Sequence, residues 1–493
     1  MTVLAHQTDT LTRDALAVLQ PGFEGTTAPA WLLRRVGEGL TAVGLFGRNI
    51  TSPDQLAALT AQLRAERDDV LVAIDEEGGD VTRLEVRGGS SFPGNLALGA
   101  VDDTGLTREV ARELGRRLAE CGVNLNWAPS ADVNSNPDNP VIGVRSFGAD
   151  THLAARHTAA YVEGLQAVGV AACTKHFPGH GDTSVDSHHA LPRIDADLDT
   201  LQARELIPFK AAIEAGTKAV MSAHILVPAL DPTRPATLSP QILTALLRKE
   251  LGYEGLIVTD GMEMNAIAGT YGIERGSVLA IAAGADAICV GGGLADEATV
   301  LRLRDALVAA VREGALPEER LADAAARVRE LAAWTLRARP DARPEGSRAS
   351  GIGLTAARRA LAVTGSPRPL AAPYVATLTP VANIAVGDET PWGVADELAA
   401  LVPATTSGRY PEGARAADIL AAAGDRTVVA VVRDAHRHPW MTEALDALVA
   451  ARPDTVVVEM GLPMAAPRGA VYIATHGASR VCGRAAAEVI AGA

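Results

Sequence analysis

Residues 175–189 read KHFPGHGDTSVDSHH, so four histidines, one lysine and two aspartates lie within fifteen positions. Side chains of these types can transfer protons, bind the hydroxyl groups of a ligand or hold a metal ion. Zinc sites usually draw closely spaced ligands from a helix or combine Cys and His at fixed spacing. Here Pro178, Gly179 and Gly181 interrupt the segment, and neither spacing occurs. We therefore predict a polar loop for proton transfer or ligand binding, with no metal and no cofactor.

Polar side chains also follow other apolar runs, in each case where a predicted strand ends. In a (β/α)8 barrel, the C-terminal ends of the parallel strands meet around one mouth, so residues that are distant in sequence converge there. A capping aspartate or a hydrogen-bonded core histidine would explain any one of these positions, but together they favour one shared pocket. The residues are Asp75, Asp132, Lys175 with His176, His224 and Asp260.

The elements that must position these side chains are short β-branched runs that alternate with longer helical patterns. Near-continuous apolar runs are typical of parallel strands covered on both faces. Helical segments such as 52–67 and 106–119 separate them, and Ser52 with Pro53 suits the beginning of a helix. This alternation predicts an α/β fold, a (β/α)8 barrel of the TIM type over residues 1–337. The predicted strands are LTAVGLF (40–46), VLVAID (70–75), VNLNWAP (123–129), GVAACTKHF (169–177), KAVMSAH (218–224), LIVTD (256–260) and ADAICVG (285–291).

Beyond residue 337 the pattern changes, and a chain of 493 residues is long enough for two domains. Residues 338–350, ARPDARPEGSRAS, combine Pro, Gly and charge and are predicted to be a linker. Residues 351–493 are predicted to form a smaller α/β layer domain. It contains neither GxGxxG nor GxxxxGK[ST], so nucleotide binding has no support. Its predicted strands are 381–387, 427–434, 455–461 and 470–477, with helical segments such as 441–451 between them.

Composition limits the classes of function. The net charge is −14 and no dense Lys/Arg cluster occurs, which disfavours binding to nucleic acid or to an anionic membrane. The four cysteines are far apart and form no CxxC pair, so we predict small buried side chains in a reducing compartment. The stretch MTVLAHQTDT resembles no signal peptide, and no apolar run approaches the ~20 residues of a membrane helix. We expect a cytoplasmic protein with a small-molecule substrate, and the oligomeric state stays open.

The segment KHFPGHGDTSVDSHHALP resembles the signature KHFPGHGxxxxDSH of the family 3 glycoside hydrolases, in their bacterial β-N-acetylglucosaminidase branch. Other blocks that resemble this family follow one another across the first 330 residues. The resemblance implies a TIM-type barrel and a retaining mechanism through a glycosyl-enzyme. The C-terminal domain resembles the accessory α/β domain of some members. The blocks are GLFGRNI (44–50), IDEEGGDVTRL (74–84), APSADVN (128–134), NPVIGVRSFG (139–148), MSAHILVPALD (221–231) and GYEGLIVTDGMEM (252–264).

The family pattern implies a catalytic pair of unusual composition. It assigns the nucleophile to Asp260 and the general acid/base to His188, with Asp186 as the partner of the histidine. A carboxylate at position 260 would stabilise an oxocarbenium-like transition state and then form a glycosyl ester. In an extended segment, residues i and i+2 point to the same side, so Asp186 would orient the imidazole of His188. The alternatives are a helix N-cap for Asp260 and a merely polar surface loop for the pair, and His189 has no matched role.

Substrate contacts carry over in the same way. Lys175 and His176 resemble the family's ligands for sugar hydroxyls, and Asp75 would accept hydrogen bonds from them. Arg83 and Arg145 would donate to hydroxyls or to the acetamido carbonyl, a task that suits the planar guanidinium.

Four further positions carry weaker implications. His224 would line the pocket or be structural, and His180 would hold the shape of its loop. The chain departs from the family at Asp80, where Arg is frequent, and at Gly261, where a second Asp is frequent. The first departure would alter the electrostatics beside the sugar, and the second removes a carboxylate next to the nucleophile.

The sequence therefore predicts a retaining exo-β-N-acetylglucosaminidase that releases terminal N-acetylglucosamine from cell-wall fragments, chito-oligosaccharides or aryl glycosides. A phosphorylase stays an alternative, because a neutral histidine would not repel an incoming phosphate. A β-glucosidase or β-xylosidase of the same family is less favoured, since those members generally lack the DSH loop. A sugar-binding protein on a decayed barrel would have no reason to retain Asp260 together with Asp186 and His188.

Overall fold

The computed structural model describes residues 10–185, 191–338, 351–381, 386–387 and 389–493. In the first part of the chain, eight parallel strands of the described residues form a barrel. Strands β2 to β7 pair in sequence order, β1 pairs with β8, and the bridge between Val258 and Ala287 joins β7 to the β8 side. The predicted fold class is thus confirmed for this part. The strands are β1 (Leu19–Pro21), β2 (Ala42–Leu45), β3 (Leu71–Ile74), β4 (Leu125–Asn126), β5 (Ala171–Phe177), β6 (Ala219–Ser222), β7 (Leu256–Thr259) and β8 (Ile288–Val290).

Helices cover the outside of the barrel, as a parallel sheet requires. The helix Pro53–Glu66 begins as the sequence predicts, because the hydroxyl of Ser52 accepts a hydrogen bond from the amide of Gln55. Among the described residues, none of the helices has the length and apolar composition needed to cross a bilayer. The barrel helices are Thr10–Ala17, Ala30–Glu38, Pro53–Glu66, Asn95–Val101, Thr104–Glu120, Thr151–Gln166, Leu198–Thr200, Leu206–Glu214, Asn265–Tyr271, Ile273–Ala283, Glu297–Arg312 and Glu318–Ala338, with π-helical segments Leu201–Glu205 and Gln241–Glu250.

The interior of the barrel is packed and closed at its N-terminal end. Small and branched apolar side chains from the strands fill it, and they include Cys173 and Cys289. The helix Glu318–Ala338 closes the bottom, because its Val328 and Leu331 belong to the same apolar cluster. A packed interior leaves the C-terminal ends of the strands as the place for a ligand.

The second part of the chain folds around a six-stranded sheet with the order β11–β10–β12–β13–β14–β9. All neighbours are parallel except β9, which runs antiparallel to β14 at one edge. Helices Ile352–Ala360, Ala395–Leu401, Ala416–Ala423, Pro439–Ala451 and Arg480–Ala491 accompany this sheet. The strands are β9 (Ala362–Gly365), β10 (Tyr374–Thr379), β11 (Thr406–Pro411), β12 (Val428–Val432), β13 (Val456–Glu459) and β14 (Val471–Ala474).

Two features predicted for this part of the chain are not matched, or not covered, by the described residues. The predicted strand 381–387 is not found at its described end, because residues 386–387 are not in a strand, and the central strand is instead β10. Residues 339–350, which make up most of the predicted linker, lie outside the described residues. The proposed domain boundaries therefore stay a prediction.

The C-terminal edge of the second sheet faces the mouth of the barrel. Arg433, directly after β12, binds Asp80, which follows β3. Leu462, shortly after β13, packs with Leu96 and Val144 of the barrel. In open α/β sheets this edge is where ligands usually bind. The C-terminal edges of the barrel and of the second sheet are thus turned toward each other.

Candidate active site

A cavity of about 660 Å³ opens at the C-terminal ends of the barrel strands. Its floor lies over Trp127, which is 1% exposed and belongs to the packed barrel interior. Part of its wall comes from the second sheet's side of the chain, through Val386, Gly387 and Glu389. Six residues that the sequence predicts for substrate or catalysis line the cavity together. They are Asp75, Arg83, Arg145, Lys175, His176 and Asp260.

Lys175 is the centre of a buried charge cluster on the cavity floor. Its Nζ lies 2.6 Å from Oδ1 of Asp75 and 2.7 Å from Oε1 of Glu77, and its side chain is only 2% exposed. Burial opposes the charge, but the two carboxylates outweigh it and raise the pKa of Lys175 above its ordinary value. A fixed ammonium and carboxylate at the floor can bind neighbouring hydroxyls of one sugar.

Arg145 completes this cluster with a two-point contact. Its Nε and Nη2 donate to the two oxygens of Glu77 at 3.0 and 2.7 Å. Burial disfavours the charge on Glu77, but Arg145 and Lys175 overcome it and hold the pKa of this carboxyl far below its ordinary value. Nη2 of Arg145 also lies 3.3 Å from Nε2 of His176. The floor is therefore a network of compensated charges with fixed directions.

Asp132 orients two histidines, His176 near the end of β5 and His180 just after it. Its Oδ2 lies 2.7 Å from Nδ1 of His176, and its Oδ1 accepts from the amide of His180 at 2.7 Å. Burial alone would raise the pKa of Asp132. The neighbouring His176 and His180 outweigh burial and hold the pKa of this carboxyl far below its ordinary value. Because Nδ1 of His176 faces a carboxylate, its Nε2 is the nitrogen turned toward Arg145 and the cavity.

Arg83 reaches the cavity through a loop that buried polar groups hold in shape. The side-chain amide of Asn126 binds both the amide and the carbonyl of Glu76. The carboxylate of Glu76 in turn accepts from the amides of Arg83 and Leu84, both at 2.8 Å. Burial raises the pKa of Glu76 to about 7. The sequence thus folds residues 76–84 back over the end of β3 and directs Arg83 to the mouth.

Asp260 lies at the end of β7 with its backbone fixed. Its amide donates to the carbonyl of Ser222 at 3.2 Å, and its Oδ1 accepts from the amide of Gly261 at 2.8 Å. His224 is fully buried behind this wall, with Nδ1 2.8 Å from the hydroxyl of Thr237 and Nε2 3.0 Å from the carbonyl of Gly261. Both nitrogens of His224 are therefore engaged within the protein, next to the residue that follows Asp260.

Asp186, His188 and His189 lie outside the described residues. The described beginning of their loop is firmly anchored. His180 is buried, its Nδ1 lies 2.8 Å from the hydroxyl of Thr183, and its carbonyl accepts from Asn139 at 2.9 Å. Burial and the neighbouring His176 lower the pKa of His180 to about 4. Further along, Asp182 accepts from Arg204 at 2.6 Å. His180 thus contributes to the shape of the loop in addition to lining the cavity.

Two residues of the site were given no role from the sequence. Glu77 and Asp132 are the carboxylates on which Lys175, Arg145 and His176 depend. Glu77 is two positions after Asp75, and this spacing places alternate side chains on one face of an extended segment. The sequence placed Asp132 among the residues of the predicted pocket but assigned it no contact. The position of each carboxylate near the end of a predicted strand was visible in the sequence. Its role was not, because the cationic partners are distant in sequence.

The rim of the cavity carries another set of charges. Arg48 donates to the carbonyls of Phe23 and Gly292, both at 3.1 Å, and to that of Gly291. Glu263 accepts from the amides of Gly291, at 2.8 Å, and Gly292. This clamp joins the turns after β2, β7 and β8.

The two departures from the family pattern have clear structural settings. Asp80 does not line the cavity; it is 7% exposed, and it accepts from the amide of Ala478 at 2.7 Å and from Arg433. It therefore joins the loop that carries Arg83 to the second sheet. A Cβ built on Gly261 would lie 3.4 Å from Oε2 of Glu263, so a carboxylate is already present beside that position.

A barrel with carboxylates, a lysine and an arginine at its C-terminal mouth has the place and the polar groups that an enzyme needs to bind the hydroxyls of a carbohydrate. The Glycosyl hydrolase family 3 N terminal domain matches residues 32–331, and the chain belongs to this family. Beta-hexosaminidase A of Pseudoalteromonas piscicida is 38% identical over 312 residues, which are 58% of this chain and 52% of that protein. The chain thus spans about half the length of this relative.

Two further comparisons cover more of the other protein. Beta-hexosaminidase of Neisseria meningitidis is 36% identical over 265 residues, 52% of this chain and 73% of the relative. The solved structure of a family 3 β-N-acetylglucosaminidase from a Paenibacillus species superposes with a TM-score of 0.88 at 34% identity. The superposition covers 98% of this chain and 97% of that protein, so the similarity includes the second sheet as well as the barrel.

Proposed function

We propose that the protein is a retaining exo-β-N-acetylglucosaminidase that releases terminal N-acetylglucosamine from the non-reducing end of its substrate. The observation that carries this proposal is the convergence of Asp260 with the paired charges of Lys175, Asp75 and Arg145 on one closed-bottom cavity. A pocket with a closed floor accepts the end of a saccharide rather than its middle. The similarity to β-hexosaminidases supports the acetamido sugar.

In the first step, the carboxylate of Asp260 attacks the anomeric carbon and forms a glycosyl ester. The bond to the leaving group breaks at the same time, and the leaving oxygen takes a proton from His188. In the second step, His188 removes a proton from water, the water oxygen displaces Asp260, and the sugar leaves with its original anomeric configuration. Asp186 serves as the positioning residue that orients the imidazole of His188.

The floor binds the sugar before chemistry begins. Asp75 accepts from a sugar hydroxyl while Lys175 and His176 donate to neighbouring oxygens. Arg83 and Arg145 donate to the remaining hydroxyls or to the acetamido carbonyl. His224 acts as a positioning residue, since it binds the carbonyl of the residue after Asp260. Buried groups with fixed directions lose little by reorganisation when charge develops in the transition state.

We place the protein in a reducing compartment such as the cytoplasm. All four cysteines are buried and unpaired. Burial raises the pKa of the thiols of Cys121 and Cys482 to about 12, so these side chains behave as apolar groups. Unpaired buried thiols are typical of proteins from reducing compartments.

The test compares hydrolysis of 4-nitrophenyl N-acetyl-β-glucosaminide with that of 4-nitrophenyl β-glucoside, with and without phosphate. We expect preference for the first compound and release of free N-acetylglucosamine in both buffers. Asp260→Ala should lower kcat by at least about 1,000-fold, and added azide should restore turnover with an α-glycosyl azide as the product. Asp305→Ala, on an exposed part of the helix Glu297–Arg312, is the matched control and should keep full activity.

Three results would contradict the proposal. Preference for the glucoside would refute the acetamido sugar, and a β-configured azide product would refute Asp260 as the nucleophile. Release of N-acetylglucosamine 1-phosphate in phosphate buffer would make the protein a phosphorylase.

A further inference from the structure

The rim of the cavity includes one acidic residue that the second sheet contributes. Glu389 lines the cavity together with Val386 and Gly387, which follow β10. A Cβ built on Gly47 would lie 3.1 Å from Oε2 of Glu389, so this carboxylate reaches across to the turn after β2 of the barrel. Glu389 itself is exposed to solvent. The mouth of the cavity is therefore walled by both parts of the chain.

The leaving group of a bound substrate has to occupy this rim. The cavity is closed below by Trp127 and the packed barrel interior, so a sugar held on the floor leaves only the mouth open. If the floor binds the terminal sugar, as proposed above, the next residue of the substrate extends past the turn after β2 and past Glu389. Groups on the rim therefore contact the part of the substrate that varies from one glycoside to another.

The charged side chains of the rim differ in the hydrogen bonds and ion pairs that they make within the protein. The guanidinium of Arg48 donates to three backbone carbonyls and pairs with Glu24 at 3.0 Å. Glu263 is bound by the amides of Gly291 and Gly292. Within the described residues, by contrast, Glu389 makes neither a hydrogen bond nor an ion pair within 4.0 Å. The carboxylate of Glu389 is thus the rim charge that is open to a ligand.

Arg83 is a second cation of the cavity wall. The proposed function above assigns its guanidinium to the terminal sugar. Arg48 points its donors into the protein, and its charge lies within electrostatic range of three carboxylates, those of Glu24, Glu263 and Glu389. One guanidinium facing three carboxylates leaves this part of the rim with a net negative charge, which a negatively charged leaving group would meet.

We infer that Glu389 selects the leaving group by charge, favouring neutral or cationic saccharides over those that carry a carboxylate. The favoured class comprises N-acetylglucosamine and glucosamine residues, as in chitin-type oligosaccharides. The disfavoured class comprises muramic-acid residues whose lactyl carboxylate is free. This inference rests on the proposed function, and it decides between two of the substrate classes that the sequence leaves open.

The test uses two aryl N-acetyl-β-glucosaminides with similar leaving groups, 4-nitrophenyl and 3-carboxy-4-nitrophenyl. We expect the wild-type chain to prefer the uncharged compound in kcat/KM. Glu389→Gln should reduce this preference by about 2- to 5-fold, and Glu389→Lys should reduce it further, because a unit charge acts over several ångström at a solvated rim. Raising the salt concentration should narrow the wild-type preference and leave that of Glu389→Gln nearly constant.

Glu313→Gln is the matched control. Glu313 follows the helix Glu297–Arg312, at the end of the barrel opposite the cavity, and is exposed. Glu313→Gln changes the net charge by the same amount as Glu389→Gln. It should leave the preference for the uncharged compound unaltered. If Glu389→Gln leaves the ratio of the two kcat/KM values as it is in the wild type, the selection by Glu389 is refuted while the proposed function stands. If the wild-type chain hydrolyses neither compound, the proposed function fails and this inference fails with it.

Discussion

The floor and the rim of the cavity use charge in opposite ways. On the floor, Lys175, Glu77 and Arg145 have side chains that are at most 5% exposed, and each charge faces an opposite one. On the rim, Glu389 is exposed, and Glu24 is 73% exposed beside Arg48. Electrostatic interactions are strong where water is excluded and weak where it is present. The floor is therefore suited to catalysis, whereas the rim is suited to modest discrimination between leaving groups.

Buried charge clusters stabilise a fold only while they are complete. Placing Lys175 and Glu77 in the interior costs desolvation free energy, which their mutual attraction and hydrogen bonds offset. Removing one member leaves its partner buried and uncompensated, which costs more than the pair contributes. Exposed pairs have no such penalty, so the two regions should respond differently to the same substitution.

The largest effect on the free energy of unfolding is expected for Glu77→Gln on the floor. The change leaves Arg145 and Lys175 with one carboxylate fewer, so the free energy of unfolding should fall by about 3–5 kcal/mol. Misplacement of both cations should also lower kcat/KM by about 100-fold or more. Glu24→Gln on the rim is the matched control and should change stability by less than about 0.5 kcal/mol. Chemical denaturation measures both, and equal losses in the two variants would remove the distinction between floor and rim.

The floor was largely predictable from the sequence, and the rim was not. Asp75, Lys175, His176 and Asp260 each follow an apolar run, and the geometry of a barrel brings such positions together. Glu389 carries no such signal, because it reaches the site only through the docking of the second sheet on the barrel.

The misses in the fold have a similar origin. Strand β1 covers only Leu19–Pro21 and follows a helix closely, so its three residues form no distinct run. Strand β11 has alternating exposure at the edge of its sheet and was not predicted. Nor does any pattern predict the cis peptide bond between Lys175 and His176. Local periodicity identified most of the buried central strands but missed β10, which is buried and has a neighbour on both sides. Short and edge strands depend on pairing with distant segments.

A second contrast separates two buried carboxyls near the site. Cations keep Glu77 ionised, whereas burial raises the pKa of Glu205 to about 7 even though Arg204 opposes this shift. Glu205 lies under the turn at Gly179, and its Oε2 has no hydrogen-bond partner within the described residues. A protonated carboxyl is the form that such a setting favours.

The pH dependence of stability should therefore change in Glu205→Gln. Between pH 4.5 and about 7 the unfolded chain has lost the proton that the folded chain keeps, so stability falls as pH rises and levels off above pH 7. The shift corresponds to at most roughly 3 kcal/mol. Glu76 and Glu459, whose pKa values burial also raises to about 7, add to the same trend.

The measurement is the free energy of unfolding from pH 5 to pH 8. Glu205→Gln should lose less stability over this range than the wild-type chain, and Glu214→Gln, exposed on the same helical stretch, should follow the wild type. A Glu205→Gln curve parallel to that of the wild type would mean that Glu205 is ionised throughout.

The smallest effect concerns the contact that joins the floor to the second sheet. Asp80 accepts from Arg433 and from the amide of Ala478, and it belongs to the loop that carries Arg83. In a double-mutant cycle of Asp80→Asn and Arg433→Gln, we expect a coupling of about 1–2 kcal/mol in the free energy of unfolding. Each single variant should also raise KM several-fold with a smaller change in kcat, because Arg83 and the rim lose their common support.

Arg415→Gln is the control for both measurements. Arg415 is exposed and pairs with its neighbour Asp418, so its replacement should change neither the free energy of unfolding nor KM. If the two effects on KM simply add and the coupling is zero, the second sheet does not position the barrel loop, and its share in the site is confined to the residues that line the cavity.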